Sequence, residues 1–183
     1  MRYPQLFGLF IGLSILSGVS FTPVTANPLI ADLKQTSDRQ MGQKISEADI
    51  QAMIKSIQTA IKDKNTVAII NYYAPFISSQ LTIKTDSSTE IFELDGLTEN
   101  KRFLEESFKG VKSAETLSEN WDVEILATDE MAIIRRERMV NITATDGKRY
   151  IVESEAVAKV APIDGKLKII SIQETAEVGL RPN

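Results

Sequence analysis

Histidine and cysteine are both absent from the 183-residue chain, so proton transfer, nucleophilic attack and ligand binding fall to carboxylates, Lys, Arg, Tyr, Ser and Thr. A Ser-His-Asp triad, a thiol nucleophile, a thiolate zinc site, an iron–sulfur cluster and any disulfide are excluded outright. Among the remaining residues, Arg135 and Glu137 stand two apart in a segment of alternating polarity, which puts both on one face of a strand. If that face is covered, Glu137 is a general base whose pKa burial would raise, and Arg135 a clamp for an anionic ligand or developing oxyanion. A structural ion pair is the alternative. Tyr72 and Tyr73 could offer a hydroxyl to the same ligand, or simply bury their rings and keep their tips wet. Glu153, Glu155 and Glu174 would hold a hard cation only if they converged, and neither a metal nor another cofactor is expected.

The elements that must position these residues divide into two blocks. Ser46 is placed to cap a helix whose stripe is Ile50, Met53, Ile54, Ile57 and Ile61, with Ile45 and Ile50 as a hydrophobic staple. Asn65 caps a short second helix running through Tyr73 to Pro75. After Asp95-Gly96, a third helix carries Phe103, Leu104, Phe108 and Val111 on one face. Short strands at 81–84 and 90–94 lie between the second and third helices. From about residue 115 the period becomes two, predicting four antiparallel strands at 121–126, 132–143, 149–161 and 167–175. Helices followed by a meander make the fold α+β, with N-terminal helices packed on one face of a curved antiparallel sheet.

Asp146-Gly147 and Asp164-Gly165 separate the last three strands, and Asp-Gly favours two-residue type I′ loops. With two such loops, Glu137 faces Ala156, Arg135 faces Ala158, and these alanines lie beside Gln173 and Ser171. One face then carries Arg135, Glu137, Ser154, Ser171 and Gln173 among small and apolar residues, as a ligand pocket would. The other carries Arg136, Arg138, Glu153, Glu155, Lys159 and Glu174 interleaved with Val140, Val157, Ile170 and Ile172. A slip of one residue in either loop exchanges the two faces.

The N-terminus reads as an address. Arg2, an uncharged apolar run from Leu6 to Phe21 and the small residues Val24-Thr25-Ala26 predict a signal peptide over residues 1–26. The run is shorter than the roughly 20 residues that span a bilayer, so no stable membrane anchor is expected after cleavage, and the protein is expected to be exported to the periplasm or the extracellular space. Residues 27–44 read as a flexible tether. With 21 Lys and Arg against 25 Asp and Glu, a net charge of -4 and no basic block, nucleic acid is not an expected partner.

The order of these signals resembles the nuclear transport factor 2-like superfamily, SnoaL-like branch. It is carried by Ala60-Ile61-Lys62-Asp63-Lys64-Asn65, Tyr72-Tyr73-Ala74-Pro75, Asp95-Gly96, and Ala156 to Val160 followed by Asp164 to Ile170. It covers residues 45–177 and leaves 178–183 as a tail. The resemblance implies a sheet wrapped around helices into a cone with a pocket, and often a homodimer through the sheet. Members often present a His on the final strand near the positions of Ser171 and Gln173, which cannot transfer a proton near neutral pH. The superfamily includes enzymes and non-catalytic binders alike, so activity must be argued from the site. The expectation is an exported, non-catalytic domain that binds a small, partly apolar molecule. The alternatives are an acid/base enzyme using Glu137 with Arg135, and a dimeric interaction module.

Overall fold

The computed structural model describes residues 44–126 and 130–180; the leader, most of the tether and the last three residues of the tail lie outside these. Helix α1 spans Glu47–Lys62, α2 Thr66–Ile70 and α3 Gly96–Gly110. Ser46 accepts a hydrogen bond from the Asp49 amide at the start of α1, and Asn65 from the Ala68 amide at the start of α2, each satisfying a donor that the first helical turn would leave open. At α3 the Asp95 side chain makes no cap; Glu99 instead reaches back to accept from the Asp95 amide.

The described residues also form six strands, two of them before α3: β1 Tyr73–Thr85, β2 Thr89–Asp95, β3 Val111–Ile125, β4 Ala132–Ala144, β5 Arg149–Ile163 and β6 Lys166–Leu180. They form one open sheet in the order β2-β1-β6-β5-β4-β3. The sheet is mixed rather than wholly antiparallel, because β1 pairs with β6 in parallel. The second helix stops at Ile70, so Tyr73, Ala74 and Pro75 open β1 instead of closing a helix. Proline lacks the amide that continues a helix. Likewise β3 begins at Val111, directly after α3.

The helices cover one face of the sheet. Ile50, Met53, Ile54 and Ile57 of α1, Ile69 of α2, and Leu104 and Phe108 of α3 pack against Ile77, Leu81, Ile134, Ala158, Val160, Ile169 and Ile172. Helix α3 is tied to β1 by a buried polar link, in which the Ser79 hydroxyl donates to Asn100 Oδ1 at 2.6 Å while Asn100 Nδ2 donates to the Gly96 carbonyl at 2.9 Å. Phe103 adds an edge-on contact with Phe92 of β2.

The strand register corrects the sequence expectation at two points. Asp164 and Gly165 both have positive φ, 50° and 72°, and form the expected two-residue turn with Ile163 opposite Lys166. Beyond Val160 opposite Ile169, however, Ile170 is an extra residue, and Ala158 then faces Ile172 and Ala156 faces Glu174. At the other hairpin only Gly147 has positive φ, 86°. The loop there has three residues between Ala144 and Lys148, whose backbones are joined at 2.9 Å, so Arg136 rather than Glu137 faces Ala156. A three-residue loop closed by a glycine in the left-handed region is the next most common hairpin after the two-residue type. Each change shifts one strand by one residue, and a shift of one turns every side chain to the opposite face.

Leu104 is fully buried on α3 against the sheet. Leu104→Ala is expected to lower the unfolding free energy by about 2–5 kcal/mol, read from urea denaturation. A loss below about 1 kcal/mol would mean that α3 does not pack where the structure puts it.

Candidate functional site

The corrected register sends a set of charges inward. One row crosses the whole sheet through Phe92, Leu81, Glu174, Ala156, Arg136 and Trp121. The next row runs Glu90, Ile83, Ala176, Ser154, Arg138 and Glu119. Arg136 is only 2% exposed and Glu174 4%, and Arg138 and Ser154 are also buried. Two strand spacings, about 10 Å, separate the Arg136 and Glu174 backbones. The residue between them is Ala156, whose small side chain lets two long ones extend toward each other across the sheet.

The arginines are held from the edge as well as from the centre. Arg136 donates from one terminal nitrogen to Glu119 Oε1 at 3.2 Å, and Arg138 Nε lies 4.0 Å from the same oxygen. Glu119 Oε2 accepts from Gln58 Nε2 of α1 at 2.9 Å, so helix and edge strand meet through this carboxylate. The Arg136 guanidinium also sits 5.3 Å from the Trp121 ring centroid, a favourable cation–π placement.

Burial dominates the electrostatics. Desolvation, reinforced by the Arg138 charge, pushes the Arg136 guanidinium down to about 9 against the pull of Glu174 and Glu119. Arg138 is lowered for the same first reason. At about 9, Arg136 stays charged at neutral pH. Tyr73, fully buried, is raised well above the ordinary phenol value by desolvation and then by the Glu174 charge, and its hydroxyl has no hydrogen-bond partner in the structure. The concave face thus combines two guanidiniums, two carboxylates, an indole face and a neutral phenol, a set suited to recognising a polar or anionic group at the end of an apolar body.

The residues singled out from sequence are distributed differently. Tyr73 and Ser154 point into this face. Arg135 and Glu137 lie on the outer face, where Arg135 pairs with Asp122 at 3.1 Å and Glu124 at 2.8 Å, interactions that raise its pKa, led by Glu124. Ser171 and Gln173 also face outward, as do Glu153 and Glu155, which therefore cannot converge with Glu174. Tyr72 belongs to a separate cleft of about 350 Å³, lined also by Ile45, Met53, Ala52, Pro162, Leu167, Lys44 and Lys166. None of the residues lining that cleft belongs to the charged group. Among the described residues, no three Asp or Glu are grouped to hold a metal ion.

Arg136, Arg138, Glu174 and Glu119 are the residues that the sequence reading missed as a site. The signal for the arginines was present in β4. Ala132, Ile134, Val140, Ile142 and Ala144 share their parity, whereas Asn141 and Thr143 share that of Arg135 and Glu137, although Ile133 and Met139 on that parity weaken the contrast.

Arg136 and Arg135 are neighbours in sequence and opposites in burial, so they should part company on mutation. Arg136→Met leaves a buried excess of negative charge and is expected to cost about 3 kcal/mol or more, while Arg135→Met, whose partners are exposed, should cost less than about 1 kcal/mol; equal losses by urea denaturation would contradict the register. The raised Tyr73 pKa has a sign of its own. Above pH 10 an unfolded tyrosine ionises while the buried one stays neutral, so stability falls as pH rises. Tyr73→Phe should reduce that fall by about 1 kcal/mol between roughly pH 10 and pH 11.

No protein-family profile matches the sequence, and no curated protein matches it. Solved structures do. A hexachlorocyclohexane dehydrochlorinase of Novosphingobium barchaimii superposes with a TM-score of 0.59 at 8% identity, over 83% of this chain and 95% of the other. A putative scytalone dehydratase of Novosphingobium aromaticivorans gives 0.56 at 12% identity, over 84% and 89%. An NTF2-like protein of unknown function from Pseudomonas putida gives 0.54 at 14%, over 70% and 84%. At such identities the likeness is one of fold: helices against the concave face of an open six-stranded sheet, which is the fold of the nuclear transport factor 2-like superfamily.

Proposed function

We propose that this protein is a small-ligand-binding domain whose concave face takes up a partly apolar molecule and engages its polar group with Arg136, Arg138 and Tyr73. The observation that carries the reading is the Tyr73 hydroxyl, fully buried beside Glu174 with no hydrogen-bond partner. A buried hydroxyl left so costs roughly 1–3 kcal/mol, a deficit that a ligand acceptor would remove. The two guanidiniums on the same face supply donors in a fixed planar geometry. The domain acts outside the cytoplasm, following the leader over residues 1–26, and needs no metal or other cofactor for binding.

A second reading is favoured by Glu174, the buried carboxylate on this face. The similar structures include a dehydrochlorinase and a dehydratase, and an acid/base enzyme would use Glu174 as its base with Arg136 steadying the developing negative charge. This replaces Glu137 and Arg135, which stand on the outer face, in that role. Dimerisation through the outer sheet would place Glu137 opposite Glu155, and Glu153 opposite Glu177, at the interface. Like charges directly opposed are unfavourable even before a partner excludes water, so the homodimer is a weaker proposal than the pocket. Ile172 points into the core and adds nothing to that outer surface.

The test is native mass spectrometry of the protein purified from its own exported fraction, followed by mild denaturation. A retained small molecule of defined mass, lost in Arg136→Met and diminished in Tyr73→Phe, is the expected result. Retention of that mass by both variants would place the ligand elsewhere. With the ligand in hand, Glu174→Gln separates the two readings: turnover abolished with binding kept identifies an enzyme, and no turnover by the unaltered protein identifies a binder.

A further inference from the structure

The two carboxylates of the concave face are not equivalent. Glu174 lies on β6, between β1 and β5, and is buried. Glu119 lies on the edge strand β3, where every residue from Lys112 to Asn120 is exposed. Its side chain is 21% exposed while those of its partners Arg136 and Arg138 are 2% and 6%. It stands two residues past Leu117, at which β3 slips by one against β4, and bulges are places where a strand re-aims a side chain. The arginines are therefore fixed and interior, and the anion that covers them from the edge reaches water.

We propose that Glu119 is an internal stand-in for the ligand's own anionic group, occupying the Arg136 and Arg138 guanidiniums until a carboxylate or similar oxyanion displaces it. The inference rests on the concave-face reading above and adds the ligand class: an organic anion with an apolar body. Exchange of one carboxylate for another keeps two negative charges against two positive ones inside the fold, so no uncompensated charge is buried at either end of the exchange. A neutral or cationic ligand would have no such route, since removing Glu119 without replacing it leaves a net positive charge in a desolvated site. Once displaced, Glu119 regains hydration at the edge, and Gln58, half-buried on α1, loses only this one partner.

Glu119→Gln removes the competing charge while keeping an oxygen acceptor for Gln58. With 4-phenylbutyrate as the probe, followed by isothermal titration calorimetry on the full mature chain, this variant is expected to bind at least about tenfold tighter than the unaltered protein. Adding Arg136→Met to either background should abolish binding. Should Glu119→Gln bind the probe no tighter while Arg136→Met still abolishes binding, the stand-in role of Glu119 is overturned and the concave site survives. Binding indifferent to Arg136→Met overturns both. Failure of Glu119→Gln, folded by circular dichroism, to bind the probe up to about 10 mM overturns the stand-in and the anionic ligand class. If Glu119→Gln does not fold, Gln58→Leu, which leaves the charge but removes its tether to α1, should tighten the probe about threefold; unchanged or weaker binding by that variant counts against the proposal.

Discussion

A guanidinium buried on the covered face of a sheet must be neutralised where it stands, because bulk water is not available to it. Arg136 imposes that constraint on every strand around it. Ala156 has to be small so that Glu174 can approach from β6, the edge strand has to bring Glu119 and Trp121 alongside, and α1 has to offer Gln58 to the far oxygen of Glu119. Taking single ions out of water costs several kcal/mol each even after relaxation, so each charge of the cluster is held against an opposite one. One helix, an edge strand and three further strands are thereby committed to one electrostatic arrangement.

The fold itself does not need those charges. One row further along the same strands, the inward positions are Val123, Ile134, Ala158, Ile172, Ser79 and Leu94, apolar apart from a serine whose hydroxyl is satisfied by Asn100. That row packs under the helices with ordinary hydrophobic burial, and buried ion pairs are commonly no more stabilising than apolar residues of equal volume. Adjacent rows on identical backbone therefore contrast a solution sufficient for folding with a more demanding one, and the difference lies in what the demanding row can recognise.

Much of the fold could be read from the chain because its signals are local. Ser46 and Asn65 cap the helices they were expected to cap, the stripe from Ile50 to Ile57 is buried, and Asp164-Gly165 makes its two-residue turn. The site was less legible because it depends on parity, which a single extra residue reverses. Asp146-Gly147 and Asp164-Gly165 look alike in sequence, yet only the second has positive φ at both residues; the first lies in a three-residue loop that includes Thr145. Nothing local marks Ile170 as a bulge, since a β-branched residue there suits a regular strand equally well. Tyr73 opens a strand where a helix end was expected, and its hydroxyl is buried rather than wet, because the aromatic pair before Pro75 fits a helix end as readily as a strand start.

The bulges also explain how the charges come to balance. Had β6 continued without Ile170 as an extra residue, Ala156 would face Gln173 instead of Glu174. Had β3 kept the register it shows at Thr116 opposite Val140, Ser118 and Asn120 would stand beside Arg138 and Arg136 in place of Glu119 and Trp121. Both inward carboxylates are thus delivered by one-residue irregularities, one on β3 beside the arginines and one on β6 two strands away, while β4 itself runs regularly against β5. A sheet with neither bulge would bury two guanidiniums against serine, asparagine and glutamine, which could hydrogen-bond them but not neutralise them. The bulge at Leu117 thus serves the charge cluster, while the one at Ile170 serves both Glu174 and Ile172, which packs under the helices.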